Sequence, residues 1–245
     1  MADSTRGPCV DVTAVILAGG AGTRLRSVVS DRQKVLAEVN GRPFLAYLLD
    51  QLLAARVART VLCTGHLAAQ VQTVFGSRWQ GMTIDYSQEN TPLGTGGALR
   101  LAATTVDTPD VLVLNGDSYC VLNLGDMLSD YRAHDRHPLI AVSHQSNTSR
   151  FGQVDLAADG VIIRFREKEA AGGEGWINAG VYAVNRESLL KIPADRPVSL
   201  EREVFPSWIG QLRGFPCHGA FLDIGTPESY GQAAAFLGML PESVP

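Results

Sequence analysis

Residues 12–25 read VTAVILAGGAGTRL. The first seven, Val12 to Ala18, are nearly all apolar, and Gly19-Gly20 follows at once. A short apolar run without polar alternation, closed by glycines, is the signature of a strand buried on both faces of a parallel sheet. Such a strand needs paired strands at its sides and helices over both faces, so outward from it strands and helices should alternate.

They do. Pro43 opens FLAYLLDQLLAARV, whose apolar positions 44, 45, 48, 49, 52 and 53 form one helical stripe. TVLCT at 60–64 reads as a second strand, Leu67–Phe75 as an amphipathic helix, MTIDYS at 82–87 as a strand, the GGALRLAAT stretch after Thr95 as a helix, and VLVLN at 111–115 as a strand. Beyond Asp117 a helical segment from Gly125 to His134 precedes LIAVSHQ, then GQVDL, VIIRFRE and WINAGVYAV, which suit a mixed extension of the sheet. A helix is expected from about Glu201 to Leu212, FLDIG at 221–225 is expected to close the sheet, and Pro227 should start a helix through Leu237. The expected fold is α/β: a Rossmann-like, doubly wound, mostly parallel mixed sheet flanked by helices. One domain over 12–240 is expected, with 1–11 a flexible N-terminus, a nucleotide-binding part at about 12–117 and a second part at about 118–240.

With 245 residues, 45% of them hydrophobic and 19% charged, the composition is that of a globular protein with a sizeable core. The net charge of −4 provides no global field to hold nucleic acid or an acidic membrane surface, so any phosphate must be held locally. Cys9, Cys63, Cys120 and Cys217 include no CxxC pair and suggest neither disulfides nor a zinc cluster. Nothing in the first eleven residues resembles a signal peptide, and no apolar run reaches the roughly 18 residues of a membrane span, so a reducing cytoplasm is expected.

Four motifs carry chemistry. Leu17-Ala18-Gly19-Gly20-Ala21-Gly22-Thr23-Arg24-Leu25 follows the first strand, with Lys34 beyond it. Its glycines let backbone N–H groups close on phosphate oxygens, and Arg24 adds a forked cation. It is neither a Walker A loop nor a GxGxxG fingerprint, since Leu25 stands where the third glycine belongs. Asn115-Gly116-Asp117 ends a strand where open α/β sheets place ligands, and Asp223 is the natural second carboxylate, a pair suited to Mg²⁺ with substrate phosphates. QENTPLGTGGA at 88–98 can admit a flat heterocycle, with the Gln88 amide offering a donor and an acceptor. Gly152, the run Arg166-Glu167-Lys168 and Asn178-Ala179-Gly180 make the fourth group, in which Glu167 suits sugar hydroxyls and Lys168 a phosphate. Taken singly, each motif also has a plain reading as a tight turn, a helix cap or a solvated charge run.

With these residues together, the chain resembles the sugar-1-phosphate nucleotidyltransferases from about Thr13 to Phe236. The resemblance rests on LAGGAGTRL with Lys34, QENTPLGTGGAL, LNGD, FREK, INAGVY and FLDIGTPESY in the family's order. Within the family it is most similar to heptose 1-phosphate guanylyltransferases, with mannose-1-phosphate guanylyltransferases next. The resemblance implies that Leu17, Gly19, Gly20, Gly22, Thr23, Gln88 and Gly94, Thr95, Gly96 and Gly97 bind the nucleotide, with Arg24 and Lys34 catalytic. It implies that Asp117 and Asp223 carry Mg²⁺, and that Asn115, Gly152, Glu167, Lys168, Asn178 and Gly180 line the sugar-phosphate site. It also implies GTP and a sugar 1-phosphate as substrates, no nucleic-acid or membrane partner, and a homo-oligomer. One departure stands out: the family's Pro-Lys-Pro is Gln33-Lys34-Val35 here, a less rigid backbone around the lysine.

The reaction so implied is in-line attack by a sugar 1-phosphate on the α-phosphorus of a nucleoside triphosphate. Phosphate monoesters are largely dianionic at neutral pH, so no base is required, and the five histidines form no metal-like set. UTP, dTTP, CTP or ATP remain open as alternatives to GTP. A non-catalytic subunit that binds a nucleotide sugar is the reading from another class, although Arg24, Lys34, Asp117 and Asp223 are all retained. An NAD-dependent oxidoreductase lacks its third glycine.

Overall fold

The computed structural model describes residues 9, 11–20, 22, 24, 25, 27–166 and 172–240. In chain order the strands are β1 (Thr13–Leu17), β2 (Glu38–Val39), β3 (Arg42–Pro43), β4 (Arg59–Thr64), β5 (Arg78–Trp79), β6 (Met82–Gln88), β7 (Asp110–Asn115), β8 (Ser118–Cys120), β9 (Leu139–Gln145), β10 (Gln153–Leu156), β11 (Ile162–Arg166), β12 (Gly175–Asn185), β13 (Arg213–Cys217) and β14 (Phe221–Asp223). The helices are α1 (Phe44–Ala54), α2 (Ala68–Phe75), α3 (Gly94–Ala103), α4 (Leu124–Ala133), α5 (Arg186–Leu190), the single turn α6 (Phe205–Ser207) and α7 (Pro227–Gly238).

The main sheet runs β11-β10-β12-β7-β1-β4-β6-β5, with β9 on the other edge of β12 and β13 beside β9. Strand β1 lies between β4 and β7, parallel to both, and β4 is parallel to β6. Both faces of these central strands are covered. Ala14 and Ile16, with Leu62, Leu112 and Leu114, enter one core together with the buried residues of α1 and α4. Val15, Val61, Cys63, Val111 and Val113 enter a second core with Leu99 of α3, Leu189 of α5 and Phe205. Strand alternation thus sends successive residues of VTAVILA into two separate cores, which is why the run reads as continuously apolar.

The chain passes from β1 to β4 and β6 on one side and returns to β7 on the other, so the strand order reverses between β1 and β7. Ligands in open α/β sheets sit at the C-terminal ends of strands at such a reversal. The antiparallel β12 extends the sheet: Val181–Asn185 pair with β7, and Trp176 and Ile177 pair with β10. Its other edge is taken by β9, with an irregularity between Asn178 and Tyr182.

Three expectations are corrected. FLDIG does not close the main sheet: β14 pairs with β8 in a separate two-stranded sheet, and the outer strand beside β9 is β13. The helix expected over 201–212 is a π-helical turn, Leu200–Val204, followed by α6 and turns. Cys9 is fully buried in the first core and Asp11 pairs with Arg132 at 3.0 Å, so packing begins ahead of Val12. Residues 1–8 and 10 of the expected flexible N-terminus lie outside the described residues.

Candidate active site

Leu17, the last residue of β1, and Asn115, the last of β7, are register partners, so the two loops that follow leave the sheet side by side. Gly116 donates its N–H to the Leu17 carbonyl at 3.0 Å. A Cβ on Gly116 would lie 2.6 Å from that carbonyl oxygen and 2.9 Å from Val35, so only glycine allows this approach. Asp117 is thereby aimed across the mouth of the first loop, where Lys34 Nζ donates to its Oδ2 at 2.6 Å.

The departure around Lys34 has a structural answer. Lys34 opens a short 3₁₀ turn, Lys34–Leu36, whose cap is Gln33. The Gln33 side chain is buried; its oxygen accepts the Lys34 N–H at 2.8 Å, and its amide nitrogen donates to the carbonyls of Ala18 and His66, both at 2.9 Å. The Gln33 backbone N–H donates to the Gln70 side chain at 2.9 Å. Four hydrogen bonds hold the lysine's approach where two prolines would restrict it by their rings.

Asp223 reaches Asp117 through the small sheet. Register places Ser118 of β8 opposite Asp223 of β14, and the Ile224 N–H donates to the Asp117 carbonyl at 2.9 Å. Burial and the negative charge of Asp117 push the Asp223 carboxyl above the usual carboxylate range. Its Oδ1 accepts the Gly225 N–H at 3.0 Å and faces Arg150 at 3.4 Å. The Arg150 guanidinium also donates to Thr226 and Ser229 at the start of α7. Two crowded carboxylates, one of them strained towards protonation, form a hard oxygen donor pair that a divalent cation would relieve. Among the described residues no group of three or more His, Cys, Asp or Glu is arranged to hold a metal ion, so a cation on this pair would take its other oxygens from substrate phosphates and water.

A cavity of about 880 Å³ opens at this point, within the range of small-molecule sites and large for a single mononucleotide. Its wall includes Leu17, Gly19, Gly20, Arg24 and Lys34 on the β1 side, Gln88, Gly94 and Thr95 near the start of α3, and Asn115, Asp117, Gly152, Asn178 and Asp223 on the far side. The remaining candidates divide into three groups. Gly22, at φ +59°, is not in the wall; its missing Cβ makes room 3.1 Å from Lys34 Cβ. Gly96 and Gly97 do not face the cavity: both backbone N–H groups donate to the Val198 carbonyl, at 2.8 and 3.4 Å, so neither is free for a base or ribose. Gly180, at φ +75°, lies behind the wall, and a Cβ there would come within 3.0 Å of the Asn115 amide. Thr23, Glu167 and Lys168 lie outside the described residues.

Three further residues of the wall, Glu89, His66 and Glu201, and Tyr182 behind it have no role read from the sequence. Glu89 caps the loop ahead of α3, its Oε2 accepting the Leu93 N–H at 2.9 Å, while its Oε1 lies against Gly65 and Gly19. The buried Tyr182 hydroxyl links Asn178 at 3.0 Å and Asn115 at 3.4 Å, and burial raises its pKa. His66 and Glu201 also line the cavity. Glu89 and Tyr182 stand within quoted motifs, QENTPLGTGGAL and INAGVY, without a role read from them; His66 and Glu201 arrive from segments outside every motif.

A glycine-rich turn after the first strand, a lysine across it and two carboxylates at the strand-order reversal define an α/β protein built to handle nucleotide phosphates. The family model for nucleotidyl transferases matches residues 13–239, and the chain belongs to that family. It is 35% identical over 225 residues to the D-glycero-alpha-D-manno-heptose 1-phosphate guanylyltransferase of Aneurinibacillus thermoaerophilus, covering 90% of this chain and 96% of that protein. It is 32% identical over 231 residues to the mannose-1-phosphate guanylyltransferase of Mycobacterium tuberculosis, covering 92% of this chain and 64% of that protein. The crystal structure of HddC from Yersinia pseudotuberculosis complexed with GMP-PN superimposes with a TM-score of 0.82 at 32% identity, covering 92% of this chain and 99% of that one.

Proposed function

We propose that the protein transfers a guanylyl group from GTP to D-glycero-α-D-manno-heptose 1-phosphate, forming GDP-heptose and releasing pyrophosphate. The observation that carries this reading is the convergence of Lys34, Asp117 and Asp223 on one cavity at the β1/β7 reversal. The heptose and guanine assignments draw on the relatives similar over nearly their whole length. For the base, Gln88 and Glu89 stand together in the wall. A carboxylate that accepts hydrogen bonds suits the N1–H and N2–H₂ donors of guanine. Mannose 1-phosphate is the second reading, favoured by the similarity to the mycobacterial protein.

In this reading the N–H groups at Gly19 and Gly20 and the Arg24 guanidinium hold the β- and γ-phosphates, with Leu17 at the root of the loop and Gly22 shaping it, and Thr23 is assigned to the nucleotide. Lys34 neutralises charge at the α-phosphate. The sugar phosphate is already dianionic at neutral pH, so its oxygen attacks the α-phosphorus without a base, and the α–β bridging oxygen leaves with pyrophosphate. Asp117 and Asp223 would hold Mg²⁺, which when bound supplies charge neutralisation on the phosphates. Asn115, Gly152, Glu167, Lys168 and Asn178 receive the sugar phosphate, with Gly180 supporting Asn115. Residues 12–117 then form the nucleotide part and 118–240 the sugar-phosphate part. A cytoplasmic location belongs to the same proposal, supported by the proposed substrates and by four free cysteines; no helix among the described residues is long and apolar enough to cross a membrane.

The test is pyrophosphate release with Mg²⁺ over a grid of nucleoside triphosphates against heptose, mannose and glucose 1-phosphates. A dominant GTP and heptose signal is expected; GTP with mannose selects the second reading. Silence everywhere, with tight binding of a nucleotide sugar, identifies a non-catalytic subunit.

A further inference from the structure

Asp223 is held by a residue that stands outside the cavity wall. Its Oδ1 accepts the Gly225 N–H at 3.0 Å and faces one terminal nitrogen of Arg150 at 3.4 Å, whereas Oδ2 has no hydrogen-bond partner among the described residues. The same Arg150 nitrogen donates to Thr226 Oγ1 at 3.1 Å and to Ser229 Oγ at 3.2 Å, the two side chains of the α7 capping box. The guanidinium also lies 5.7 Å from the centre of the Phe151 ring, close enough for a cation–π contact, and that ring packs edge-on against Phe221 at 5.5 Å. Phe151, Phe221 and Asp223 line the cavity, and Arg150 acts on it only through them. Arg150 is thus tied to both β14 and α7, and it is the one cation within ion-pair distance of Asp223 among the described residues.

Asp117 has the matching arrangement, with Lys34 Nζ on its Oδ2 at 2.6 Å. Each carboxylate of the pair therefore carries its own protein cation, and lysine and arginine already supply part of the relief that a divalent cation would bring. A bare divalent cation would add its charge beside these two positive groups, and like charges a few ångströms apart repel strongly away from bulk water. A nucleoside triphosphate brings the negative charge that the arrangement lacks, together with the phosphate oxygens that Mg²⁺ commonly takes from substrate. We propose that Arg150 is a positioning residue: it anchors Asp223 by Oδ1, leaves Oδ2 for the cation, and makes the carboxylate pair take a divalent cation together with the nucleotide rather than ahead of it. This rests on the functional reading above, with Asp117 and Asp223 as the cation's ligands, and deepens it.

The test is Mn²⁺ binding, read from the paramagnetic resonance signal of the free ion, with and without a non-hydrolysable GTP analogue and corrected for the analogue's own binding. The parent should hold Mn²⁺ at least about 10-fold more tightly with the analogue than without it. Arg150→Met removes the charge and keeps an aliphatic stem, while Thr226 Oγ1 and Ser229 Oγ still hold each other at 3.0 Å, so α7 keeps its cap. It should bind bare Mn²⁺ about 10-fold more tightly than the parent, a gain that loss of folding does not produce, whereas Arg150→Lys should stay within about threefold of the parent. Adding Asp223→Asn to Arg150→Met should abolish the gain. Equal or weaker binding of bare Mn²⁺ by Arg150→Met, a gain that survives Asp223→Asn, or parental binding as tight without the analogue as with it overturns the proposal. A parent that releases no pyrophosphate in the substrate grid and binds no GTP analogue fails the functional reading itself, and this assignment falls with it.

Discussion

Replacing Lys34 by Met keeps the length of the aliphatic stem and deletes the charge that lies 2.6 Å from Asp117. Lys34 is 10% exposed and Asp117 35%, so the pair is neither a surface bridge nor fully buried. Breaking a buried pair costs about 3–5 kcal/mol, and an exposed one less than about 1. Because water reaches Asp117, the expected loss of stability is about 1–2 kcal/mol, or about 2–8 °C in Tm for a chain of this size. The catalytic loss should be larger. A single preorganised charge placed where charge develops is worth about 100- to 1,000-fold in kcat, so Lys34→Met should fall by that factor at saturating Mg²⁺ while remaining folded. Lys34→Arg, which restores charge with a different shape, should recover only part of it. Pyrophosphate release and a thermal melt read the two effects separately. If Lys34→Met keeps more than about a tenth of the parental kcat, the lysine is not acting at the reacting phosphate and its contact with Asp117 is merely structural.

The remaining outcomes concern neighbouring groups. The Asp223 carboxyl is raised in the folded protein, so its ionised form opposes folding and parental stability improves as pH falls through that raised value towards the unfolded one. Asp223→Asn should therefore raise Tm at neutral pH without divalent cations, lose that advantage below about pH 4, and release no pyrophosphate; a lower Tm at neutral pH would contradict the assigned burial and repulsion. Gly180→Ala adds a Cβ at φ +75° and 3.0 Å from Asn115, and should cost about 1–3 kcal/mol in denaturant melts while weakening the sugar phosphate more than GTP. Gln33→Leu orphans the Ala18 and His66 carbonyls and the Lys34 N–H, and should lower kcat more than either KM; equal kcat in stopped assays would show that Lys34 needs no clamp.

The parts of the fold legible in the sequence are those whose local pattern and tertiary role agree. VTAVILA reads as a two-faced strand because Ile16 and Val15 do enter different cores. Asn115-Gly116-Asp117 was readable because it directly follows such a strand. FLDIG misled because its apolar run also suits a strand of a small accessory sheet, and nothing local says which strand will pair with it. The RGFPC stretch of β13 was hidden by Gly214 and Pro216, which weaken a strand pattern yet are tolerated in a strand whose full ladder is with β9 alone, its other edge making only a bridge from Arg213 to Val161. Gly96 and Gly97 illustrate the same limit within a motif. Three glycines in four residues suggest a ligand cradle, but only Gly94, at φ +72° and in the cavity wall, could serve it directly, while Gly96 and Gly97 give their N–H groups to the Val198 carbonyl.

Gln33 shows why a missing motif residue is weak evidence against a function. Proline restricts a chain through a covalent ring and acts locally; a buried glutamine achieves restriction only if acceptors and donors from elsewhere meet its amide. Here they come from Ala18 after β1, His66 after β4 and the next peptide group, three places that the sequence does not connect. The consequence differs in one respect that matters for the site. A proline would fix the lysine's backbone alone, whereas the amide ties it to the carbonyl at the root of the phosphate loop. Lys34 and the N–H groups of Gly19 and Gly20 are therefore positioned by one shared set of hydrogen bonds, and a disturbance of the loop should be felt at the lysine.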